Sequence, residues 1–243
     1  AYVYDIATDK KRFAGFHKVT VSESGADLVP LRVTETYFHQ GNGSDSATFE
    51  PSDTGLAKIG RPYYVSARNP SGLPKKESWN KYGEHVLTTE PNTGRLSKFI
   101  YPTESITRTT EANTVTGSAD MYVFDTTLGE QTELRNMGFD TIGNDGSYTD
   151  IVGDTKYQFT EYVSNASNTI VKPKRVDLRS TSATSDTILR TDYFYDNQAH
   201  GGVGTLGDLT KETKWISGNS AVTADTIYTH DSFGNVLTVT DPR

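Results

Sequence analysis

The side chains that could carry out chemistry in this chain are its five histidines and its many carboxylates. The histidines are His17, His39, His85, His200 and His230. Their spacing contains no His-Glu-x-x-His motif or other ligand pattern, and the chain has no Gly-x-Ser-x-Gly nucleophile motif. We therefore expect histidines such as His17 and His39 to lie on strand faces or at strand ends. We predict no catalytic residue, no bound cofactor and no metal ligand.

Two glycine-containing segments invite a ligand-binding interpretation. Gly201-Gly202-Val203-Gly204 is followed by neither Lys-Ser nor Lys-Thr and precedes no helix, so it predicts a hairpin loop rather than a phosphate loop. Gly143-Asn144-Asp145-Gly146, with Asp140, Asp150 and Asp154 nearby, offers oxygen ligands for calcium but breaks the EF-hand spacing. Calcium binding in residues 140–154 and an ordinary solvated loop both stay open.

The carboxylates and aromatic residues leave several function classes open. The chain has 31 Asp and Glu residues, so some pair will lie at a plausible distance for glycoside hydrolysis in any β-sandwich. Aromatic residues on strands can stack on sugars, but they also fill cross-strand positions in ordinary sheets. A structural, non-enzymatic protein is the favoured class. The alternatives are a surface adhesin or carbohydrate-binding module and, third, a β-sandwich hydrolase.

Composition narrows the possible partners. The net charge is −7 and the basic residues are scattered, which argues against nucleic acid as a partner. No apolar stretch approaches the roughly 18 residues of a membrane helix, so we expect no membrane insertion by this segment. The chain has no cysteine, which excludes disulfides, thiol nucleophiles and cysteine-based zinc sites.

Alternating runs of β-type residues predict strands along most of the chain. Leu31, Val33 and Tyr37 share one face of such a run. Comparable runs occupy residues 61–68, 121–124, 157–163, 189–195, 209–215 and 222–230. Residues 42–60 and 135–153 are rich in Gly, Asp, Asn and Ser and predict loops. With no competing helix pattern, we predict a single all-β domain over residues 1–243, with a possible subdivision near residue 115.

The clearest repeat unit stands at the end of the chain. Tyr228 precedes a turn of sequence Asp231-Ser232-Phe233-Gly234-Asn235. The aspartate side chain can accept from backbone amides two residues on, and the glycine can take a positive φ. This pattern predicts a β-hairpin.

An earlier copy of this unit contains Tyr195-Asp196, a longer loop, and Gly207. The predicted structural residues of the repeat turns are Tyr195, Asp196, Gly207, Tyr228, Asp231, Gly234 and Asn235. Fainter copies pair Asp125 with Gly129, Glu90 with Gly94, and Asn69 with Gly72.

These units resemble a known family. The C-terminal quarter, from Thr187-Ile188-Leu189 through Tyr195-Asp196 to the Asp231-Ser232-Phe233-Gly234-Asn235-Val236 unit, resembles the YD repeats of bacterial RHS-repeat proteins. Two earlier segments, Phe13-Ala14-Gly15-Phe16-His17 and Tyr37-Phe38-His39-Gln40-Gly41, resemble the region leading into those repeats in toxin-complex B subunits.

The resemblance implies a structural role in a bacterial toxin-like protein. It implies antiparallel hairpins that form a curved or spiralling sheet with little or no helix, as part of a hollow shell around a toxic cargo domain. The implied partners are the rest of the same polypeptide or a companion shell subunit, and the enclosed cargo. The implied location is secreted or on the cell surface. Because the chain ends where another unit is expected to begin, we expect it to be a segment of a longer protein.

Overall fold

The chain is built almost entirely from antiparallel strands. A computed structural model describes residues 2–5, 10–13, 15–25, 30–41, 56–92, 94, 96–111, 114–139, 142–143, 146–149, 155–167, 169–180, 187–217 and 222–242. The strands are β1 (Tyr2–Asp5), β2 (Lys10–Phe13), β3 (Lys18–Ser24), β4 (Pro30–Phe38), β5 (Pro62–Arg68), β6 (Pro74–Thr89), β7 (Leu96–Glu111), β8 (Thr114–Asp125), β9 (Glu130–Phe139), β10 (Lys156–Ser164), β11 (Val171–Arg179), β12 (Thr187–Tyr195), β13 (Leu209–Ser217), β14 (Val222–His230) and β15 (Val236–Thr240). Within these ranges the helical content is a single 3-10 turn, Leu56–Lys58.

The strands follow one another in the order of the chain. Strands β3 to β15 form a 13-stranded sheet in which each strand pairs with its sequence neighbours, and β1 and β2 form a separate two-stranded sheet. Short turns, such as the one between β5 and β6, force the strands that they join to pair antiparallel. The predicted all-β class, with antiparallel hairpins and little helix, is confirmed.

The predicted strands agree with the structure where alternation is clear. The run predicted at residues 222–230 is β14, and the runs at 61–68 and 189–195 correspond to β5 and β12. The loop predicted at residues 135–153 is wrong at its start, because β9 continues through Phe139. Asn136 and Gly138 give this stretch a loop-like composition, but Met137 and Phe139 are buried and hold it in the sheet. Of the loop predicted at 42–60, residues 42–55 lie outside the described residues.

The chain divides into two compact units. Unit 1 comprises Ala1–Met121 and Met137–Ile151, and unit 2 comprises Tyr122–Asn136 and Val152–Arg243. Unit 1 contains an apolar core whose members are Tyr63, Tyr64, Trp79, Ile106, Ala119, Met137, Phe139 and Ile142. Burial of these aromatic and aliphatic side chains is the main stabilising term in this unit.

A short segment after β9 covers the centre of this core. Gly146 has a φ of +76° and lies so close to the Trp79 ring that a Cβ there would be 2.9 Å from it. Tyr148 stacks on Phe139 with ring centroids 4.4 Å apart, and its hydroxyl donates to Glu104 Oε1 at 2.6 Å. This segment therefore covers the sheet of unit 1 at Trp79 and Phe139.

Unit 2 is stabilised differently. Among its described residues, Tyr195 is the buried hydrophobic side chain, and it is accompanied by the buried polar residues Asp177, Thr155 and Thr210. Within its described residues, unit 2 thus combines ion pairs and side-chain-capped turns with few fully buried apolar side chains.

Candidate functional site

The turn between β14 and β15 is closed by one carboxylate. Asp231 Oδ1 accepts from the backbone N–H of Phe233 at 2.8 Å and of Asn235 at 2.9 Å, and Oδ2 accepts from Asn235 Nδ2 at 2.9 Å. The hydrogen bond from the Asn235 side chain, followed by the two backbone amides, lowers the pKa of Asp231. Gly234 has a φ of +81°, a region that side chains disfavour. Asp231, Gly234 and Asn235 thus form one cap.

The longer loop between β12 and β13 is organised by Asp196. Its Oδ2 accepts from the amides of Gly204 at 2.8 Å and Gly207 at 2.9 Å, and its Oδ1 accepts from the amide of Asp208 at 2.9 Å. Burial would raise the pKa of Asp196, but these backbone amides outweigh it and lower the pKa. Asp196 itself has a φ of +51°, and Gly207 has a φ of +74°. One carboxylate therefore holds both ends of an eleven-residue loop, 197–207.

The two tyrosines predicted for these turns occupy different environments. Tyr195 directly precedes its aspartate, is 5% exposed, and donates its hydroxyl to the carbonyl of Pro173 at 2.8 Å. Burial raises the pKa of Tyr195 to about 12. Tyr228 lies three residues before its aspartate, and its hydroxyl donates to Glu212 Oε2 at 3.3 Å. Only Tyr195 is a buried anchor between neighbouring strands.

Similar caps close turns that the sequence indicates weakly or not at all. Asp125 Oδ1 accepts from two following backbone amides at 2.9 and 3.2 Å, and Gly129 has a φ of +76°. Asn165 Oδ1 accepts from the amides of Thr169 at 2.9 Å and Ile170 at 3.2 Å. The sequence did not predict the Asn165 turn because no glycine follows Asn165. The available signal was the asparagine itself, whose side chain can cap a turn, with Ser and Thr residues after it.

The fainter turns of unit 1 use related chemistry. Asn69 Oδ1 accepts from the amide of Leu73 at 2.9 Å, and Gly72 has a φ of +82°. At Glu90 the backbone carbonyl accepts from the amide of Gly94 at 2.9 Å. The acceptor-to-glycine pattern thus marks a turn at each of these positions, although Glu90 contributes its main chain.

The capped turns of unit 2 repeat in space. Successive strands are antiparallel, so the turns after β8, β10, β12 and β14 lie at the same end of the strands of this unit. These four turns are capped by Asp125, Asn165, Asp196 and Asp231, which recur roughly every 35 residues. The repeating element is therefore a pair of strands with one side-chain cap.

A buried ion pair joins two strands of unit 2. Asp177 on β11 is 2% exposed and accepts from Arg190 on β12, with Nε–Oδ1 at 2.6 Å and Nη2–Oδ2 at 3.1 Å. Arg179 Nη2 also donates to Asp177 Oδ2 at 2.9 Å. Burial would raise the pKa of Asp177, but the two guanidinium groups outweigh it and lower the pKa.

The sheet face that carries Asp177 and Arg190 also carries aromatic rings. Arginine and lysine side chains of the same chain lie over these rings. The Arg190 guanidinium lies 4.1 Å from the centroid of Trp215, and Lys211 Nζ lies 4.0 Å from that of Phe194. We call this face the charged ladder; its members are Arg135, Tyr157, Phe159, Arg175, Asp177, Arg179, Arg190, Asp192, Phe194, Lys211 and Trp215. One side of several of these rings is thus already occupied by an internal cation–π contact.

Potential catalytic side chains are engaged in structural contacts. His39 is buried against Tyr63 with ring centroids 5.2 Å apart, and His200 Nε2 lies 3.3 Å from Asp192 Oδ1. Glu77 accepts from the Tyr64 hydroxyl at 2.6 Å. These contacts tie the side chains to neighbouring strands and loops.

No metal site is formed by the part of the chain that the structure describes. Its His, Asp and Glu side chains are nowhere grouped in threes as potential ligands. The proposed calcium ligands Asp140, Asn144, Asp145, Asp150 and Asp154 lie outside the described residues. Among the described residues, no helix is long and apolar enough to span a membrane.

The chain is similar to solved protein structures, but not to curated protein sequences. No protein-family model and no curated protein sequence matches this chain. The chain is similar to part of the crystal structure of TcdB2-TccC3, a toxin-complex protein, with a TM-score of 0.59 and 12% identity over 88% of this chain. The match covers 15% of that chain, so the present sequence spans a small part of its length.

A porin-like protein from Bacteroides uniformis is matched over 89% of this chain and 61% of its own, with 10% identity and a TM-score of 0.29. That score is too low to carry an argument. The similarity to TcdB2-TccC3 shows a shared fold, an antiparallel sheet of the kind present within a toxin-complex protein.

Proposed function

We propose that this chain is a structural, non-enzymatic YD-repeat segment of an RHS-type shell that encloses or scaffolds a toxin-like cargo domain. The observation that carries the proposal is the recurring side-chain cap at one end of unit 2, at Asp125, Asn165, Asp196 and Asp231. A repeated cap on successive strand pairs lets a sheet grow by adding units of one kind. The fold similarity to TcdB2-TccC3 supports the same proposal.

The contacts made by the buried polar side chains favour a structural role over a catalytic one. Asp177 bridges Arg179 and Arg190, and Glu104 accepts from Tyr148 while pairing with Lys81. Each carboxylate is held by groups from neighbouring parts of its own unit, so its orientation is fixed by contacts within the sheet. A hydrolase instead needs two acids that converge on open space for substrate.

The charged ladder disfavours the alternative of a carbohydrate-binding module. Sugar recognition by stacking needs an exposed aromatic platform. Here Trp215, Phe194 and Phe159 each carry a cation of the same chain over the ring. A glycan would have to displace those cations to gain the stacking surface.

Under this proposal the partners are other parts of the same shell and the enclosed cargo, and the complete protein is secreted or displayed on the bacterial surface. Limited proteolysis of the complete gene product, followed by mass spectrometry, tests enclosure. We expect a domain outside residues 1–243 to resist protease until urea unfolds the sheet. Cleavage of every other domain at the same rate in native buffer and in urea would contradict the proposal.

A further inference from the structure

The sheet of unit 2 opens between two of its inner strands, β9 and β10. Their pairing runs from Lys156 opposite Asn136 to Phe159 opposite Glu133 and ends there. β10 nevertheless continues to Ser164 and stays paired with β11 over this length. In the strand order β9 has β8 on its other side and β10 has β11, so the opening lies inside the sheet and not at one of its edges.

The opening forms a pocket of about 460 Å³. Leu128 and Thr132 form one wall, and Thr160 and Tyr162 of β10 form the opposite wall. The Tyr162 hydroxyl donates to the backbone carbonyl of Gln131 at 3.0 Å across the opening. In a continuous antiparallel ladder a backbone N–H of β10 would bond a carbonyl of β9, but here a side chain does so. The pocket therefore takes the place of the last backbone hydrogen bonds between β9 and β10.

Main-chain groups of β10 border this pocket. In an antiparallel sheet, alternate residues direct their N–H and C=O groups to the strand on one side, and the residues between them direct theirs to the other side. Over residues 160–164 the described part of the chain supplies β10 with a partner strand on the β11 side, whereas the register with β9 has already ended. N–H and C=O groups at the spacing of a strand are matched by the main chain of an extended peptide.

The charged side chains that line the pocket balance one another. Asp125 and Glu161 bring two carboxylates, and Lys174 and Arg179 bring two cations. Lys174 Nζ lies 3.0 Å from Glu161 Oε2, and Arg179 Nη2 donates to Asp177 Oδ2 at 2.9 Å. A charged ligand of either sign would meet a like charge and compete with an existing ion pair. An uncharged peptide segment disturbs neither pair.

We infer that the opening between β9 and β10 is a binding site for an extended, uncharged peptide segment that pairs with β10 along residues 160–164. Binding replaces the hydrogen bond from Tyr162 to the Gln131 carbonyl with one from a peptide N–H. Tyr162 thus competes with the peptide for this acceptor. The site goes beyond the proposed function, since it assigns peptide recognition to a sheet proposed as a wall.

Nuclear magnetic resonance titration of the isotope-labelled 243-residue chain with the blocked peptide acetyl-Thr-Val-Thr-Val-Thr-amide tests the site. We expect the amide signals of residues 131–132 and 160–164 to shift. Tyr162→Phe should bind the peptide about fivefold more tightly, because the competing hydroxyl is gone. The peptide Thr-Pro-Thr-Pro-Thr lacks two of the N–H groups that pairing needs and should shift none of these signals.

Leu128→Trp places a larger side chain in the pocket and should weaken binding about tenfold. The backbone amide of residue 128 still donates to Asp125 Oδ1, so the turn keeps its cap. Leu189→Trp, at a leucine of β12 that is 56% exposed, is the matched control and should bind like the unmodified chain. Replacing both valines of the peptide by lysine, or both by glutamate, should weaken binding in either case.

Hydrogen exchange distinguishes two sources of the natural segment. If the segment belongs to another part of the complete gene product, the amides of residues 160–164 that face the opening exchange slowly there and fast in the 243-residue chain alone. If it belongs to a separate polypeptide, these amides exchange fast in both until the peptide is added.

Three results would overturn the inference. They are fast exchange in the complete gene product together with no peptide-induced shift at residues 160–164, equal binding of the proline peptide, and binding that Leu128→Trp leaves unchanged. None of them bears on whether a cargo domain is enclosed, so this test and the proteolysis test fail independently.

Discussion

Arg190 and Asp177 stand opposite each other on β12 and β11 and share two hydrogen bonds, Nε–Oδ1 at 2.6 Å and Nη2–Oδ2 at 3.1 Å. The carboxylate is 2% exposed, and the guanidinium also covers Trp215 on β13. One arginine thus links three consecutive strands of unit 2. In a unit with little apolar core, such contacts set the strand register as well as the stability.

Asp177→Asn should destabilise unit 2 by about 3 kcal/mol, because it leaves two partly buried guanidinium groups without the buried anion that pairs with them. Urea unfolding followed by tryptophan fluorescence measures the loss. The chain has two tryptophans, so Trp79→Phe leaves Trp215 as the reporter of unit 2.

Asp225→Asn is the matched control. The Asp225 side chain is 43% exposed, and its Oδ2 lies 3.6 Å from Lys211 Nζ. Loss of this exposed ion pair should lower the free energy of unfolding by less than about 1 kcal/mol. An equal loss of unfolding free energy in the two variants would mean that Asp177 stabilises unit 2 no more than an exposed ion pair does.

Acid should weaken unit 2. The pKa values of Asp177 and Asp196 are lowered in the folded chain, so the unfolded chain binds more protons as the pH falls. Their contribution to stability is complete above the ordinary aspartate pKa of about 3.9 and is lost as the pH falls through the lowered values. Urea midpoints of the Trp79→Phe chain at pH 7 and pH 3 measure the effect.

The acid effect should be smaller in Asp177→Asn, which has one such carboxylate fewer. A Trp215 transition with the same urea midpoint at both pH values would show that these carboxylates do not stabilise the unit.

Asp196→Ala should loosen the loop between β12 and β13, because three backbone amides lose their acceptor. We expect a loss of about 2 kcal/mol and faster hydrogen exchange at Gly204, Gly207 and Asp208. Asp208→Ala leaves the Asp196 carboxylate in place and should leave exchange at Gly204 and Gly207 unchanged. Exchange that stays slow in Asp196→Ala would mean that the loop is held by other contacts.

Gly117→Ala should destabilise unit 1, because a Cβ there would lie 2.3 Å from Phe139 Cε2. The ring covers the glycine and cannot move aside without disturbing the core, so we expect a cost of about 2 kcal/mol. Thermal unfolding measures it, with Ser118→Ala on the exposed neighbouring residue as the control. A Gly117→Ala chain as stable as the control would contradict the packing of Phe139 over Gly117.

The fold was predicted from the alternation of apolar and polar residues along strands and from the residue types at turns. Val222–His230 was predicted as a strand because apolar and polar residues alternate there, and Gly234 and Gly129 marked turns because glycine tolerates positive φ. The β6 and β7 strands escaped prediction. Charged and hydroxyl side chains on both faces hide their period, and the pairing of Glu77 with Arg108 becomes visible only once the register is known.

The charged ladder was missed for the same reason. Asp177, Arg179 and Arg190 are unremarkable as single charges in the sequence, since surface charges are common. The pairing of Arg190 with Asp177 depends on β11 and β12 being neighbours in one register, which local propensity does not specify. Asp196 was predicted as a turn residue, but its distant bonds to Gly204 and Gly207 follow from the loop path rather than from local spacing.

Electron cryomicroscopy of the complete gene product that contains this chain tests the central claim most directly. We predict that residues 1–243 form part of a wall of antiparallel strands around a cavity that holds another domain of the protein or of its partner subunit. A structure in which both faces of this sheet meet open solvent, with no enclosed domain, would contradict the account.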